Sequence, residues 1–159
     1  LKKMNRKYDT KLFLEKVDEL RKENENFSFS TDIIVGFPGE TEEDFDSSVQ
    51  IVKKVNFSNV HVFPYSRREG TYAANFEELD PQIIQERKDK LLKETKKNAF
   101  YFRERFVGKI LPVLMEKRKG HTEHFLPVWT EDSFCPNQLI HVKILKNTSK
   151  GLIGTCLLK

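Results

Sequence analysis

The stretch TDIIVGFPGETEEDF, residues 31–45, combines a strand pattern, a corner rich in glycine and proline, and the start of a helix. Its apolar run, residues 33–35, predicts a β-strand covered on both faces, as in a parallel sheet. Thr41 and Asp44 have the spacing of a capping box, so a helix is expected to begin there. A second strand pattern, SNVHVFPY, follows at residues 58–65. Together these elements predict a right-handed βαβ unit.

Two further helices are predicted on either side of this unit. Asp9 or Thr10 is suited to cap the first, which extends to about Glu23 with an apolar stripe. The second is a long connecting helix, residues 81–105, with proline at its favoured first position. Because two parallel strands cannot bury both of their faces alone, we expect Leu1 to lie inside a larger α/β domain.

The pattern changes to short strands after residue 105. Turn signals occur at KG (119–120), CPN (135–137) and SKG (149–151). This spacing predicts four to five strands that form a small closed or nearly closed β-barrel. The predicted fold class is therefore α/β plus all-β, with a first domain at residues 1–105 and a second at residues 106–159.

Charge is divided unevenly along the chain. Residues 1–80 carry 12 Lys and Arg against 16 Asp and Glu, whereas residues 81–159 carry 16 against 8. A basic second half favours a polyanionic partner such as a nucleic acid.

Cysteine and histidine are too few and too scattered to predict a metal site. Cys135 and Cys156 form no Cys-x-x-Cys pair, and the four histidines lack ligand spacing. Two unpaired cysteines suit a reducing compartment, so we expect a cytoplasmic protein. No apolar run approaches the roughly 20 residues that cross a bilayer, and we expect no membrane association.

The corner after the first strand is a candidate ligand site. Loops at the carboxyl ends of parallel strands form ligand crevices, and Gly36 permits close approach of the backbone. Pro38 stiffens the corner. Acidic residues at the helix start, Glu40 among them, argue against phosphate and favour an adenosine or a cationic amino-acid group. An ordinary tight turn between strand and helix remains an equal alternative.

Two motifs carry a family resemblance. DIIVGFPGETEEDF (32–45) and VHVFPYSRREGTYAA (60–74) closely resemble segments of the radical S-adenosylmethionine methylthiotransferases that modify tRNA. LKKMNRKY (1–8) resembles the segment before them, and the final barrel is similar to the TRAM domain of that family. GHTEHFLPV (120–128) and HVFPYS within the second motif are most similar to the branch that acts on threonylcarbamoyl-adenosine.

The resemblance implies a truncated parallel (β/α) partial TIM-like barrel followed by a TRAM RNA-binding β-barrel. The family adds a methylthio group to a modified adenosine next to the anticodon, using S-adenosylmethionine and 4Fe-4S clusters. The cluster-binding cysteines of the family lie in segments that would precede Leu1. The chain is therefore expected to be a carboxyl-terminal fragment that holds no catalytic residue and is inactive alone.

Family positions carried onto this sequence, together with the basic charge of its second half, give two sets of candidate residues. The set expected to shape the cofactor pocket is Arg6, Asp32, Gly36, Pro38, Phe63, Tyr65 and Arg67. The set expected to bind RNA is Arg68, Lys109, Lys117, Arg118, Lys119 and His121. Asp32 would either accept hydrogen bonds from the cofactor or orient the loop.

Lys117, Arg118 and Lys119 are expected at a hairpin tip that follows the phosphate backbone. His121, His124 and Phe125 could stack on bases or contact them, and Trp129 either does so or anchors the core.

Two alternatives to a tRNA-modifying enzyme stay open from the sequence. One is a stand-alone RNA-binding module with a vestigial first domain. The other is the sister branch of the family, whose final barrel recognises a ribosomal protein. For every reading, unpaired strand edges in the first domain predict self-association of the isolated chain.

Overall fold

The computed structural model describes residues 1–157 and divides into two compact units, residues 1–95 and residues from Lys96 onward. The first unit contains a two-stranded parallel sheet and the second a three-stranded antiparallel sheet. The predicted mixture of an α/β part and an all-β part is confirmed at this level. Leu158 and Lys159, the end of the last predicted strand, lie outside the described residues.

Helices and parallel strands alternate in the first unit. Its elements are α1 (Thr10–Glu23), β1 (Ser30–Val35), α2 (Glu42–Val55), β2 (Asn59–Pro64), a short 3₁₀ helix (Tyr72–Asn75) and α3 (Pro81–Glu104), inside which the division into units falls. Strands β1 and β2 pair in parallel, from Ser30 opposite Asn59 to Val35 opposite Pro64. The predicted succession of parallel strand, helix and parallel strand is confirmed.

Local capping chemistry sets the helix ends. The Asp9 carboxylate accepts a hydrogen bond from the backbone N–H of Leu12 at 2.8 Å and caps α1. At α2 the predicted capping box is present: the Thr41 hydroxyl accepts from Asp44 N at 3.1 Å, and the Asp44 carboxylate accepts from Thr41 N at 3.0 Å. Asn56 ends α2 in the left-handed conformation with φ 51°.

The core of the first unit lies on one side of its sheet. Side chains from α1, α2, α3, both strands and the loop before β2 contribute to it: Val17, Val35, Phe45, Val49, Val52, Val55, Phe57, Val60 and Leu91. The prediction that β1 is covered on both faces is wrong for this chain, because Ile34 is 39% exposed. Successive residues of a strand point to opposite faces, and the described helices cover only the face that carries Val35.

The second unit contains three strands, β3 (Ile110–Thr122), β4 (Pro127–Thr148) and β5 (Gly151–Cys156), in the order β3-β4-β5. The prediction of four to five strands is wrong because β4 continues through CPN. Residues 135–137 instead form an irregularity between Phe134, opposite Lys117, and Gln138, opposite Met115. Pro136 has no N–H to donate, which suits an unpaired position in a strand.

Strand β4 pairs with each neighbour near both of its ends. The start of β3 pairs with the last third of β4, as Ile110 does with Lys143, whereas its end pairs with the start of β4, as His121 does with Pro127. Leu152 of β5 likewise faces Val128 and Asn147. The strands therefore curl around a core of Phe102, Phe106, Leu111, Val113, Met115, Leu126, Val128, Ile140, Val142, Ile144 and Leu152.

No helix within residues 1–157 combines the length and the apolar character that a bilayer span requires.

Candidate functional site

The corner after β1 is a tight turn whose residues match its geometry. Glu40 N donates a hydrogen bond to the carbonyl oxygen of Phe37 at 2.8 Å, which closes the turn. Pro38 occupies its second position, and Gly39 occupies its third position with φ 79°. This is the residue order of a type II turn, in which the third position needs a positive φ. The corner is therefore pre-formed by its own sequence.

Gly36 is required by both conformation and space. Its φ is 73°, and a Cβ built on it would lie 2.5 Å from Cγ1 of Ile84 in α3. Its N–H donates to the Glu40 carboxylate at 3.2 Å. The backbone of the corner thus packs directly against α3, and any side chain at residue 36 would push them apart.

Arg87 of α3 neutralises the acidic residues of the corner. Its buried guanidinium forms ion pairs with the carboxylates of Glu40 and Glu42, donates to the Glu40 carbonyl at 3.2 Å, and lies 5.4 Å from the ring centre of Phe45. Because the Glu40 side chain is only 10% exposed and already paired, it is committed to the fold. The corner does not offer it to a cationic ligand group.

Tyr65 is brought to the corner by the strand pairing. Its backbone N–H donates to the Val35 carbonyl at 2.8 Å, and its ring meets Phe37 edge to face with 5.5 Å between centroids. The Tyr65 hydroxyl is buried and has no hydrogen-bond partner among residues 1–157. A buried hydroxyl without a partner is costly, and it is a ready hydrogen-bonding group for a ligand at this end of the sheet.

Asp32 and Phe63 lie on the open face of the two-stranded sheet. Asp32 is opposite His61, and Ile34 is opposite Phe63. The ring of Phe63 stacks against that of His61 at 6.4 Å. This face presents an exposed carboxylate, an imidazole and an aromatic ring together. His61 was not among the predicted site residues, although its alternation with Phe63 along β2 was a signal that could have found it.

The three predicted arginines of the first unit lie away from the corner contacts. Arg67 donates to the carbonyl of Phe76 at 3.2 Å and pairs with Glu78 at 3.2 Å, so it holds the loop that follows β2. Arg68 is exposed, and Arg6 is exposed before α1. The hydrogen bonds and ion pairs described within residues 1–157 do not join these side chains to Gly36 or Pro38. Their expected ligand contacts stay predictions.

The predicted RNA-binding cations follow one strand. Lys117, Arg118 and Lys119 are exposed, but their placement at a hairpin tip is wrong, because they lie inside β3. Lys117 has φ 66°, and the pairing register shifts on both sides of it. This bulge lets the strand continue through residues that signal a turn. The hairpin turn itself is at residues 123–126.

The remaining predicted cations are close to aromatic rings. Lys119 Nζ lies 5.5 Å from the ring centre of Trp129, and Lys109 Nζ lies 5.5 Å from that of Phe106. His121 is exposed opposite Pro127. Lys109, Lys119 and His121 are exposed cationic or basic side chains that can contact phosphates, and Trp129 is only partly buried.

No cluster site is present in the described part of the chain. Cys135 is exposed and Cys156 is partly buried, and both are unbridged. Within residues 1–157 no group of three or more His, Cys, Asp or Glu side chains could hold a metal ion. The residues of this chain therefore do not fit an iron–sulfur cluster, which requires several thiolates.

Comparison with known proteins identifies relatives over nearly the whole chain, although no family model matches it. A tRNA-2-methylthio-N(6)-dimethylallyladenosine synthase of Clostridium botulinum is 38% identical over 97% of this chain, and one of Neorickettsia sennetsu is 31% identical over 98%. A threonylcarbamoyladenosine tRNA methylthiotransferase, MtaB, of Chlamydia pneumoniae is 36% identical over 97%.

The chain is homologous to the tRNA methylthiotransferases. The resemblance inferred from the two motifs is thereby confirmed at the level of the family. Relatives from two branches match at similar identity, so the threonylcarbamoyl-adenosine branch stays a prediction. The chain spans 36% of the length of the first two methylthiotransferases and 38% of the third.

Proposed function

We propose that this chain is the carboxyl-terminal part of a radical S-adenosylmethionine enzyme that adds a methylthio group to a modified adenosine next to the anticodon of tRNA. The observation that carries the proposal is homology over at least 97% of the chain to enzymes named for this modification. These relatives do not favour the two alternatives, a stand-alone RNA-binding module and an enzyme that modifies a ribosomal protein.

The first unit is proposed to supply one wall of the S-adenosylmethionine pocket, as part of a partial TIM-like barrel. Three features fit an adenosine ligand: the exposed carboxylate of Asp32, the close approach allowed by Gly36, and the buried unpartnered hydroxyl of Tyr65. The bound cofactor supplies the carbon radical of the reaction. Asp32 would accept hydrogen bonds from it, and Phe63 would pack against its base.

The 4Fe-4S clusters of the family would be ligated outside this chain, since its two cysteines are far too few. The chain alone is then inactive, and its share of the reaction is positioning. The open face of the β1–β2 sheet, with Ile34 and Phe63 exposed, supports the proposal that the isolated chain associates with itself.

The second unit is proposed to be a TRAM-like barrel that binds tRNA in the cytoplasm. Support for closure comes from β5, because its Leu152 pairs with Val128 near the start of β4 and with Asn147 near its end. Support for RNA binding comes from charge, because residues 105–159 carry nine Lys and Arg against four acids. The affinity should fall steeply with salt as counterions are released from the phosphates.

The test is deletion of the gene that encodes this chain, followed by mass spectrometry of the nucleosides of total tRNA. We expect one 2-methylthio nucleoside to disappear and its precursor without the methylthio group to accumulate. The identity of that precursor, dimethylallyl- or threonylcarbamoyl-adenosine, assigns the branch. Restoring the intact gene should restore the modification, and an unchanged nucleoside profile would refute the proposal.

A further inference from the structure

The turn between β3 and β4, residues 123–126, presents an aromatic ring to solvent. Phe125 is 85% exposed, which makes it the most exposed large apolar side chain among residues 1–157. Because a solvated phenyl ring contributes nothing to the core, its presence at this tip is not explained by packing. The ring is therefore available to a binding partner.

The turn holds this ring in a defined place. Thr122 N donates to the Leu126 carbonyl at 3.1 Å, and Phe125 N donates to the Thr122 carbonyl at 2.9 Å. The Thr122 hydroxyl accepts from the backbone N–H groups of His124 and Leu126, each at 3.2 Å. Thr122 and Leu126 are buried. The exposed ring thus stands on an anchored turn, which lowers the entropy that binding would cost.

The backbone conformation of Phe125 also argues against a purely structural role. Its φ is 58°, in the left-handed region, where a residue with a Cβ is disfavoured and glycine is comfortable. Glycine or asparagine would serve the turn better than phenylalanine. The left-handed φ of Phe125 therefore costs free energy that the fold does not recover by burying its ring.

Two cations, Lys109 and Arg105, act on His124 at the base of this turn. Lys109 Nζ lies 5.5 Å from the ring centre of Phe106, and that ring lies 5.0 Å from the ring of His124. Burial lowers the pKa of His124, and the charges of Lys109 and Arg105 lower it further, while Glu123 opposes them. The turn therefore adjoins two permanent positive charges and carries one acid of its own.

We propose that Phe125 stacks on an unpaired base of tRNA while Lys109 and the neighbouring cations contact the adjoining phosphates. Single-stranded RNA is commonly bound in this way, by an exposed ring for the base face and cations for the backbone. The inference rests on the proposed function, since it names the contact by which the second unit would hold its tRNA.

The first experiment measures binding of the full 159-residue chain to an anticodon stem-loop RNA at a fixed salt concentration. Phe125→Ala should weaken binding about 5-fold to 100-fold, the range expected for loss of one base–aromatic stack. Phe125→Trp keeps a ring and should bind within about 3-fold of the wild type. The dependence on salt should be the same for all three proteins, because no charge changes.

A matched control and a spectroscopic readout separate stacking from folding. Tyr101→Ala removes another exposed ring of the second unit and should leave binding unchanged. Phe125→Gly relieves the left-handed backbone, so its urea midpoint should equal or exceed that of the wild type while its RNA binding falls. With 2-aminopurine in the loop of the RNA, the fluorescence change caused by the wild type should be absent with Phe125→Ala.

Two outcomes overturn the inference in different ways. If the wild type binds and Phe125→Ala binds within about 2-fold of it, the stacking contact is wrong and the proposed function stands. Equal losses of RNA-binding affinity in Phe125→Ala and Phe125→Trp would also show that base stacking by the ring does not account for the binding. If the wild type does not bind the stem-loop even at low salt, the tRNA-binding role of the second unit fails, and the contact fails with it.

Discussion

Arg87 in the first unit and the cations of β3 in the second unit use charge in opposite ways. In the first unit Arg87 is buried and paired with Glu40 and Glu42, so these charges hold the corner against α3. In the second unit Lys117 and Arg118 are exposed, and no ion pair within residues 1–157 involves them. A buried paired charge stabilises a fold only while its partner is present, whereas exposed cations of like sign repel one another and remain available to a polyanion. The comparison distinguishes buried charges that stabilise the fold from exposed charges that are available for binding.

The largest effect is expected from breaking the buried pair. Arg87→Met should lower the free energy of unfolding by about 3–5 kcal/mol, because it leaves Glu40 buried without its counter-charge. Urea unfolding followed by circular dichroism of the helices measures this loss. Lys90→Met, which removes an exposed partner of Glu42 and Asp46, should cost at most about 1 kcal/mol.

A second substitution tests whether the loss of stability comes from the unpaired carboxylate of Glu40. Adding Glu40→Gln to Arg87→Met should recover part of the stability, since a neutral amide is cheaper to bury and its oxygen can still accept from Gly36 N. A loss below about 1 kcal/mol for Arg87→Met would mean that the corner does not depend on this charge.

The next effect concerns the corner backbone. Gly36→Ala should cost about 2–4 kcal/mol, from a left-handed φ and a clash with Ile84. Gly70→Ala is the matched control, because Gly70 has φ 78° but nothing within 4 Å of an added Cβ. It should cost only the backbone part, about 1–2 kcal/mol. Equal losses at the two glycines would show that the contact with α3 is loose.

The binding charge is tested by reversal. Changing Lys117, Arg118 and Lys119 together to Glu should weaken tRNA binding by at least about 2 kcal/mol and reduce its dependence on salt. The control reverses three exposed lysines of the first unit, Lys11, Lys22 and Lys53, with the same change in net charge. Filter binding at several salt concentrations measures both. Similar losses in the two triple variants would mean that net charge, not this strand, sets the affinity.

The smallest effect is a pH dependence of the second unit. Burial keeps the folded-state pKa of His124 below its ordinary 6.5. The unfolded chain therefore takes up a proton before the folded chain does, and stability falls as pH drops below about 6.5. His124→Gln should reduce the loss of stability between about pH 7.5 and about pH 5.5. Fluorescence of the single tryptophan, Trp129, follows this unit during urea unfolding. An identical loss in the variant would assign the pH dependence to other groups.

Local signals in the sequence predicted the helices of the first unit well. Thr41 and Asp44 form the expected capping box, and α2 buries Phe45, Val49, Val52 and Val55 along one face. Both features depend on residues within one or two turns of each other. The parallel pairing of β1 and β2 was also predicted, because a helix between two strands leaves few other topologies.

The strands of the second unit were predicted less well. Lys119 and Gly120 signal a turn by composition, yet β3 passes through them with a bulge at Lys117. The sequence alone does not distinguish a turn from a bulge, since both favour the same residues. The turn at residues 123–126 was missed because it contains no glycine, proline or asparagine, and Phe125 takes its left-handed position.

The candidate site likewise contains residues that local sequence signals predicted and one residue that they did not. The sequence predicted the corner at Gly36 and Pro38, and the family resemblance gave Asp32, Phe63 and Tyr65 as candidate residues near it. It did not predict Arg87, whose partners Glu40 and Glu42 are more than 40 residues away. Nothing near Arg87 in the sequence indicates that its helix will carry it into the corner.

The amino-acid sequence by itself determined the helix caps, the glycine and proline corner, the change from parallel to antiparallel strands, and the family motifs, because each depends on neighbouring residues. Only the tertiary structure decided which charges are buried, which face of β1 stays open, and where Phe125 points. Those properties depend on residues that are distant along the chain and meet only when the sheets and helices have packed.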